Sequence, residues 1–418
     1  MPKGHSTRWQ PRFEDRFVTG TPIAWVPYGG YWSTPFVRWQ GAFAELHSLR
    51  FATWTAKRAL AKRGIDPAAI DFGVLGFTVP QRGSFYGLPW LMGEIGAPHV
   101  AGPSVMQACA TSARSVGLAA REVAAGSAHM ALVVAADRVS NGPHLYYPQP
   151  SAPGGSGEAE NWVLDNFARD PFAGVAMVET AENCAARWSI SREEQDDLTL
   201  LRADQYQAAL ADDRAFHRRF MDLPFDVPDP RFARIAGQLE GDVGVQPGNP
   251  AKLRALKPVR EGGTVTFGGQ THPADGNAGM IVATREQSRA LAKHGPEIAI
   301  LGFGQARVDP AYMPAAPVPA ARRALEQAGL TIDAIDAVTS HNPFAVNDIV
   351  FARETGFVLD RMNAFGCSLV WGHPQGPTGL RALIELIETL TIRGGGRGLF
   401  QGCAAGDSAM AVVIEVTG

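Results

Sequence analysis

Two stretches of the chain repeat one pattern, and this repetition constrains the fold more than any other feature. Residues 108–138 read ACATSARSVGLAAREVAAGSAHMALVVAADR, and residues 371–416 read WGHPQGPTGLRALIELIETLTIRGGGRGLFQGCAAGDSAMAVVIEV. Each stretch passes through a turn of small residues, a helix containing Gly-Leu-x-Ala, a glycine stop and an apolar strand. A strand that is apolar at nearly every position is typical of a parallel sheet buried on both faces. We interpret the likeness as a weak internal duplication of a β/α unit, and chance similarity is the alternative.

The region between the two repeats differs in composition. It opens with the Pro/Gly/Ser loop PQPSAPGGSGE, and SISREEQDDLTLLRADQYQAAL then predicts a helix whose capping box runs from Ser191 to Glu194. A length of 418 residues allows about two or three domains or one composite fold. We therefore predict an α/β protein of two related halves with an inserted region: 1–142 plus 263–290 as the N-terminal half, 143–262 as the loop domain, and 291–418 as the C-terminal half.

Composition excludes several classes of partner. The 38 basic and 41 acidic residues leave a net charge of −3, which favours neither nucleic acid nor an anionic membrane surface. The N-terminus has no apolar signal core, and no stretch reaches the ~18 apolar residues of a membrane span. Four widely spaced cysteines without a CxxC pair fit a reducing compartment. We predict a cytoplasmic protein with no nucleic-acid, membrane or metal partner.

Cys109 lies at the start of the helix in the first repeat. Partial positive charge at a helix N-terminus stabilises a thiolate, which predicts a more acidic thiol. A small buried structural cysteine is the alternative for this segment taken alone. Cys184, on a helix face, and Cys367, beside Gly366, are predicted to serve packing.

Three further stretches carry reactive groups. His341, in SHNPFAVND, follows a predicted strand, where α/β proteins place ligand groups; a loop histidine bonded to backbone is the alternative. His373 lies in WGHPQGPTG, whose glycines and prolines restrain the backbone around the imidazole. Cys403 is followed by the small residues of FQGCAAGDSAM, and the backbone amides there suit an oxyanion hole; a tightly packed strand end is the alternative.

Taken together, these stretches resemble the thiolase family. The shared order is a nucleophilic cysteine, an Asn/His-x-x-Phe box, Gly-His-Pro-x-Gly and a second cysteine. TAENCAARWSISREEQD is similar to the family's loop-domain signature, and GTVTFGGQTHPADGNAG is similar to its Gly-Thr-Val-Thr strand and Asp-Gly turn. The resemblance covers about residues 34–418, and the first 33 residues are poorly matched.

The resemblance implies a fold and a set of roles. The fold would be the five-layered α/β/α/β/α arrangement of two duplicated halves. Cys109 would accept the acyl group, His373 would take its proton, Cys403 would move a proton at the substrate α-carbon, and His341 would hold the thioester oxygen. Backbone amides of Cys109 and near Ala405 would form a second oxyanion hole. The remaining residues carried over for oxyanion or substrate contacts are Ala405, Gly406, Thr271, Met177 and Phe344.

Three departures from the family pattern point to an altered acyl pocket. HNPF stands where many members have Asn-Glu-Ala-Phe, Cys403 is followed by Ala-Ala-Gly instead of x-Gly, and Ala176 replaces the histidine of His-Met-Gly. These changes suggest degradation of an unusual, bulky or aromatic 3-ketoacyl-CoA. Lys252 and Arg254 are candidates for CoA phosphates, with a solvated basic patch as the alternative.

The family's chemistry needs no permanently bound cofactor, with coenzyme A acting as cosubstrate beside acyl-CoA. We expect a homodimer or homotetramer, with a small accessory subunit as a further option. Biosynthetic Claisen condensation, by an acetyl-CoA acetyltransferase or a ketosynthase-like enzyme, is one alternative function. The His-Gly-Thr-Gly-Thr stretch of ketosynthases is missing from the sequence. A non-catalytic acyl-CoA-binding subunit is the other alternative.

Overall fold

The computed structural model describes residues 20–246, 248–292 and 294–418. The N-terminal segment examined for a signal sequence therefore lies outside the described residues. Within the described part of the chain, no helix combines the length and apolar character needed to cross a membrane.

The first third of the chain alternates strands and helices. Its strands are β1 (Ala24–Val26), β2 (Tyr31–Ser33), β3 (Val37–Arg38), β4 (Phe72–Gly76), β5 (Ser104–Val105) and β6 (Met130–Arg138), and its helices are α1 (Ser48–Arg63), α2 (Gly87–Ile95) and α3 (Thr111–Ala124). Helix α1 ends at Gly64, one residue after Arg63. This glycine adopts φ +65°, and its N–H bonds the carbonyls of Ala61 and Leu60, a left-handed cap that glycine adopts without strain.

The described residues of the middle third contribute no strand to the large sheet. Its strands pair only in two hairpins, and its elements are β7 (His144–Tyr147), β8 (Glu158–Asn161), β9 (Phe225–Pro228), β10 (Ile235–Leu239), α4 (Leu164–Ala168), α5 (Met177–Arg187), α6 (Arg192–Arg218) and α7 (Pro250–Arg254). The capping box is confirmed, because Ser191 Oγ accepts from Glu194 N and the Glu194 carboxylate accepts from Ser191 N. Helix α6 is interrupted at residues 211–214, where three successive residues have positive φ.

The last third returns to the large sheet. Its elements are β11 (Ala274–Ala283), β12 (Glu297–Arg307), β13 (Ala337–His341), β14 (Gly395–Ala404), β15 (Ser408–Thr417), α8 (Arg285–Ala292), α9 (Pro317–Ala328), α10 (Ala345–Thr355), α11 (Ser368–Trp371) and α12 (Thr378–Ile392). The Gly-Thr-Val-Thr strand that the family resemblance implies is not formed, and GTVTF makes only an isolated bridge between Thr266 and Pro258. The continuous strand there begins at Ala274.

The sheet order shows the internal repeat. The strands run β13-β14-β15-β12-β1-β11-β6-β4-β5, with β2 and β3 also paired to β11. On one side β4 and β6 are parallel and β6 is antiparallel to β11; on the other, β13 and β14 are parallel and β14 is antiparallel to β15. The units α3-β6-β11 and α12-β14-β15 are therefore equivalent, and β1 connects the two sides by pairing with β11 and β12.

Alternation of side chains along the strands produces five layers. In β6, Val133 points to the central core with α3 and α12, and the next residue, Val134, points to an outer core with α1 and α2. In β15, Val412 points to the same central core, and Val413 points to the opposite outer core with α9 and α10. Because successive strand residues face opposite sides, each side of the large sheet is covered on both faces. The predicted doubly buried strands and the five-layered α/β/α/β/α fold are confirmed. The proposed domain boundaries stay a prediction.

Candidate active site

The four predicted reactive side chains come from four separate segments that meet at the ends of the central elements. Cys109 lies two residues before α3, and His373 lies two residues after α11. His341 is the last residue of β13, and it pairs in the parallel register with Gly402. Cys403 is therefore on the adjacent strand at the same level of the sheet. The contact between His373 and Cys109 joins residues that are 264 positions apart in sequence.

Cys109 and His373 are in direct contact. His373 Nε2 lies 3.1 Å from Cys109 Sγ, and His373 Nδ1 lies 2.7 Å from Thr378 Oγ1. When Nδ1–H donates to the threonine hydroxyl, the lone pair of Nε2 faces the thiol. This is the arrangement that a nucleophile and its general base require.

The turn that presents Cys109 is tightly held. Ala108 adopts φ +44°, which is uncommon for a residue with a Cβ. Thr111 stabilises this turn, because its hydroxyl donates to the Ala108 carbonyl at 2.6 Å and accepts from Gln107 N at 2.8 Å. Sparsely populated backbone conformations of this kind concentrate at functional sites.

His341 stacks on His373 and leaves one ring nitrogen without a partner. The two ring centroids are 4.1 Å apart with an interplanar angle of 27°. His341 Nδ1 lies 2.9 Å from Ser368 Oγ, while the buried Nε2 has no hydrogen-bond partner among the described residues. The single Ser368 hydroxyl hydrogen has two acceptors, His341 Nδ1 and Asn342 Oδ1, the latter at 3.1 Å. When it goes to Nδ1, Nε2 carries the imidazole hydrogen and is a donor for a ligand; when it goes to Asn342, Nε2 is an acceptor.

Cys403 is completely buried beside these groups. Asn347 Nδ2 donates to its sulfur at 3.2 Å. Burial raises the pKa of Cys403 well above its usual range, and the neighbouring Cys109 adds to the rise. A thiol in this environment keeps its proton at neutral pH, which suits a proton donor.

The sequence-based prediction of an acidic Cys109 thiol is wrong for this structure. Burial raises the pKa of Cys109 to about 12, although the backbone N–H groups of Ala405 and of Cys109 itself lower it. Burial also lowers the pKa of His373 to about 3, and burial followed by the charge of His373 lowers that of His341 well below the usual range. Desolvation exceeds the effect of the helix N-terminus, so the thiol and both imidazoles are neutral at pH 7.

The backbone N–H groups of Cys109 and Ala405 both lower the pKa of the Cys109 thiol, so both lie near its sulfur. Ala405 follows the end of β14 and is exposed, which leaves its surroundings open to a ligand. Gly406 adopts φ +77° in the turn to β15, and its carbonyl accepts from Arg307 Nε at 3.0 Å. The predicted pair of amides is thus next to the sulfur, where a carbonyl attacked by that sulfur would place its oxygen.

Of the remaining predicted substrate residues, Thr271 and Phe344 lie at the loop that carries His341. Thr271 N donates to the Pro343 carbonyl at 2.8 Å, and its hydroxyl donates to the Ser368 carbonyl. Phe344 is buried at the start of α10 and packs in the outer core. Met177 begins α5, remains partly exposed and packs against the same core.

A buried ion pair fixes the His341 loop from the inserted region. Arg202 of α6 contacts Asp348 of α10 at 2.9 Å, and both side chains are fully buried. Asp348 also accepts hydrogen bonds from Ser340 Oγ and Asn342 Nδ2, each at 2.7 Å. Since Ser340 and Asn342 flank His341, this network determines where the imidazole lies.

Sequence reasoning missed the residues that orient the reactive groups. Thr378 and Ser368 bond the two imidazoles, Asn347 bonds Cys403, and Gln375 contacts Cys109. All four are common polar residues without reactive chemistry of their own. Their only sequence signal is that each lies within nine residues of a cysteine or histidine already identified.

The cluster also has the composition of a metal-ligand set. The ligand atoms of Cys109, His341 and His373 all lie within 4.8 Å of one another. A sulfur and two imidazoles are ligands that Zn²⁺ accepts. The protonated thiol and its contact with the imidazole are equally compatible with a metal-free nucleophile and base.

The other two cysteines border this cluster without joining it, and Asn342 Nδ2 donates to Cys367 Sγ at 3.2 Å. All four cysteines are free, and Cys184 and Cys367 are buried in the core. Arg254 pairs with Asp197 at 3.2 Å on the surface, and Lys252 is exposed on α7.

Two models of known protein families match most of the chain. Residues 31–286 match the thiolase N-terminal domain family, and residues 295–416 match the thiolase C-terminal domain family. The chain belongs to the thiolase family. It is an acyltransferase enzyme with general thiolase activity.

Named relatives are similar along nearly the full chain. An acetyl-CoA acetyltransferase of Paracoccus denitrificans is 29% identical over 391 residues, covering 91% of this chain and 97% of that protein. The crystal structure of human mitochondrial 3-ketoacyl-CoA thiolase has a TM-score of 0.85 at 24% identity, covering 95% of this chain and 100% of that chain. The same human enzyme in complex with CoA has a TM-score of 0.85 at 24% identity, with 96% and 100% covered. These two structures support the thiolase fold.

Proposed function

We propose that this thiolase cleaves a 3-ketoacyl-CoA with CoA, giving acetyl-CoA or another short CoA thioester and a shortened acyl-CoA, through an acyl-Cys109 intermediate. The observation that carries the proposal is the 3.1 Å contact between His373 Nε2 and Cys109 Sγ, with the N–H groups of Cys109 and Ala405 at the same sulfur. The group places a nucleophile, a base and two oxyanion donors around one atom.

In the first step the Cys109 sulfur attacks the C3 ketone and its proton passes to His373 Nε2. The negative charge moves to the ketone oxygen, where the amides of Cys109 and Ala405 donate to it. The Thr378 hydroxyl accepts from His373 Nδ1–H, and this bond strengthens once the ring is positively charged. Because the resting pair is neutral, proton transfer accompanies attack instead of preceding it.

In the second step the C2–C3 bond breaks and its electron pair moves into the departing thioester as an enolate. His341 Nε2–H is the donor available for the enolate oxygen. Cys403 gives its proton to C2, which releases acetyl-CoA and leaves a Cys403 thiolate. The high pKa of the Cys403 thiol, caused mainly by burial, keeps that proton in place until a strong base forms beside it.

In the third step CoA regenerates the enzyme. The Cys403 thiolate takes the proton of the CoA thiol, and the CoA sulfur attacks the acyl carbon held on Cys109. The bond between Cys109 and the acyl carbon breaks, and the leaving sulfur recovers its proton from His373. All protons and bonds are then as they were at the start.

We further propose a degradative role on a non-standard, bulky or aromatic acyl group. Ala176 occupies the N-cap position of α5 and carries a methyl group where many family members carry histidine, and Met177 beside it keeps exposed surface. Thr271 adjoins the His341 loop and is assigned to the pantetheine side of the site. Phe344 is buried in the core, so we assign it to shaping the wall of the site.

The proposed assembly is a homodimer or homotetramer in the cytoplasm. Strand β5 is the last strand in the sheet order. Near it, Phe85, Tyr86 and Met106 are 95%, 70% and 61% exposed, and an apolar patch beside a sheet edge favours association. The four free cysteines agree with a reducing compartment. CoA and acyl-CoA are the proposed small-molecule partners, and a small accessory subunit remains part of the proposal.

The test is intact-protein mass spectrometry after incubation with straight, branched and aromatic 3-ketoacyl-CoAs, followed by peptide mapping. We expect a mass gain on Cys109 that added CoA removes, and its size identifies the preferred acyl group. No gain with any substrate would contradict the proposal and would favour an acyl-CoA-binding subunit. Because the equilibrium constant fixes the ratio of thiolysis to condensation, the direction is tested by the net flux at cellular concentrations of CoA and acyl-CoA. Net condensation under those conditions would contradict the proposed degradative role.

A further inference from the structure

Gln375 makes a second polar contact to the Cys109 sulfur. Its side chain is buried, with 6% exposed, and Cys109 Sγ lies 3.5 Å from Gln375 Oε1. Gln375 occupies the variable position of the Gly-His-Pro-x-Gly pattern, so the family pattern assigns it no role. The structure therefore places an amide, a group that both donates and accepts, beside the atom that reacts.

The backbone that presents Gln375 is held in an uncommon conformation. Gln375 has φ +64°, although it carries a Cβ. Thr378 N donates to its carbonyl at 3.2 Å, and the next amide, Gly376 N, donates to Asp137 Oδ2 at 2.8 Å. A Cβ at position 376 would lie 2.8 Å from the same oxygen. Asp137 also accepts from Thr78 N at 2.8 Å, so buried contacts on both sides fix the turn.

The Cys109 sulfur loses its hydrogen during the reaction and changes from a hydrogen-bond donor to an acceptor. A carboxamide can bond to the sulfur in both states. At rest the single thiol hydrogen has two acceptors, His373 Nε2 at 3.1 Å and Gln375 Oε1 at 3.5 Å. After the proton moves to His373, the sulfur can only accept. A half-turn of the carboxamide about Cγ–Cδ then directs Nε2–H at the sulfur. Among the described residues, Gln375 Nε2 donates to no protein acceptor, so rotating the carboxamide breaks no hydrogen bond of Nε2.

We propose that Gln375 is a further catalytic residue whose carboxamide accepts the Cys109 thiol hydrogen at rest and donates to the sulfur once the proton is on His373. The step moves one proton from Sγ to His373 Nε2, and the amide keeps both of its hydrogens. The inference rests on Cys109 being the nucleophile of the proposed function. Burial disfavours a thiolate at Cys109, and in this inference Gln375 stabilises that thiolate by donating a hydrogen bond to it.

Gln375→Met and Gln375→Glu separate hydrogen bonding from filling of space. Methionine has a similar length and cannot donate; glutamate keeps the oxygen and places a negative charge beside the sulfur. Losing the Gln375 donor should raise the pKa of the Cys109 thiol by about one unit, and this lowers the thiolate fraction about tenfold. The remaining thiolate is more nucleophilic, so alkylation of Cys109 by iodoacetamide should slow by about threefold. Gln375→Glu should be slower than Gln375→Met, and acyl-enzyme formation should fall about tenfold in Gln375→Met.

Gln40 supplies matched controls. It also has a positive φ, +57°, but its side chain is exposed and bonds Asn141. Gln40→Met and Gln40→Glu should match the wild type in alkylation and acylation.

Alkylation requires no CoA substrate, so the two proposals can fail separately. One outcome is that the wild type is acylated by no 3-ketoacyl-CoA while alkylation is still fastest in the wild type, slower in Gln375→Met and slowest in Gln375→Glu. That result would refute the thiolase reaction and leave the role of the Gln375 contact supported. If Gln375→Met is alkylated as fast as the wild type and only Gln375→Glu is alkylated slowly, the inference is overturned, because charge repulsion alone explains that result. Equal losses in both variants together with a lower thermal midpoint would overturn it in favour of a packing role.

Discussion

Replacing Thr378 by valine tests whether His373 acts as the base for Cys109. The hydroxyl of Thr378 is the only protein partner of His373 Nδ1 among the described residues, at 2.7 Å, and both residues are buried. Valine has nearly the same shape, so Thr378→Val removes this hydrogen bond without opening a cavity. Any loss of activity can then be assigned to the orientation and charge of the imidazole.

The expected loss follows from the change in charge on the ring. A hydrogen bond between neutral groups contributes about 1 kcal/mol, and one to a charged group about 1.5–3 kcal/mol. Because His373 is neutral at rest and positive after taking the thiol proton, about 1–2 kcal/mol of the bond is present only in the transition state. This corresponds to a fall of about 5- to 30-fold in kcat/KM.

The assay is steady-state thiolysis of the 3-ketoacyl-CoA that labels Cys109 best, at a temperature far below the unfolding midpoint. Thr378→Ser keeps the hydroxyl and should retain most of the activity. Thr389→Val is the control on the same helix, because its hydroxyl donates to the Glu385 carbonyl at 2.7 Å, away from the cysteines. A kcat/KM for Thr378→Val within twofold of the wild type would refute the reasoning, as would equal losses in Thr378→Val and Thr389→Val.

Three further predictions concern the acid, a buried ion pair and pH. Cys403→Ala should slow acylation of Cys109 by 3-ketoacyl-CoA by about 10²–10⁴-fold, while iodoacetamide still modifies Cys109 in peptide maps; an unchanged acylation rate would contradict the proton-donor role. Arg202→Met should lower the free energy of unfolding by about 3–5 kcal/mol, since it leaves Asp348 buried without its partner, whereas Arg254→Met in the exposed pair should cost under about 1 kcal/mol by urea denaturation. Burial lowers the pKa of His217 to about 4 and keeps the ring neutral. The contribution of His217 to the free energy of unfolding is therefore lost as pH falls below about 6.5, because His217 in the unfolded chain then takes up a proton. His217→Phe should therefore gain about 1.4 kcal/mol per pH unit relative to the wild type between pH 6.5 and 4 in denaturation curves, and a constant difference would exclude this linkage.

Local patterns were sufficient to predict many of the elements. The apolar run of β6, the glycine that ends α1 and the capping box at Ser191 each depend on neighbours within a few residues. The likeness of the two repeats correctly predicted equivalent β/α units on the two sides of the sheet. The Gly-Thr-Val-Thr strand implied by the family resemblance is not formed, because strand structure needs a partner strand and that segment has only an isolated bridge.

The candidate site was predicted in its reactive residues and missed in its supporting ones. Cys109, His341, His373 and Cys403 were identified through the order of short motifs, and the structure places them together. Gln375 was missed, because its role depends on contact with a sulfur 266 positions away. The Arg202–Asp348 pair was invisible for the same reason, since nothing local indicates which charged residues a fold will bury.

The sequence by itself determined the kinds of chemistry available to this protein: two cysteines, two histidines and small-residue turns that expose backbone amides. Only the tertiary structure decided their protonation. The helix start predicted an acidic thiol, yet burial raises the pKa of Cys109 to about 12 and lowers that of His373 to about 3. A pKa responds to all atoms that surround a group and exclude water from it. At Cys109 those atoms come from both halves of the chain, and their arrangement is a property of the folded molecule.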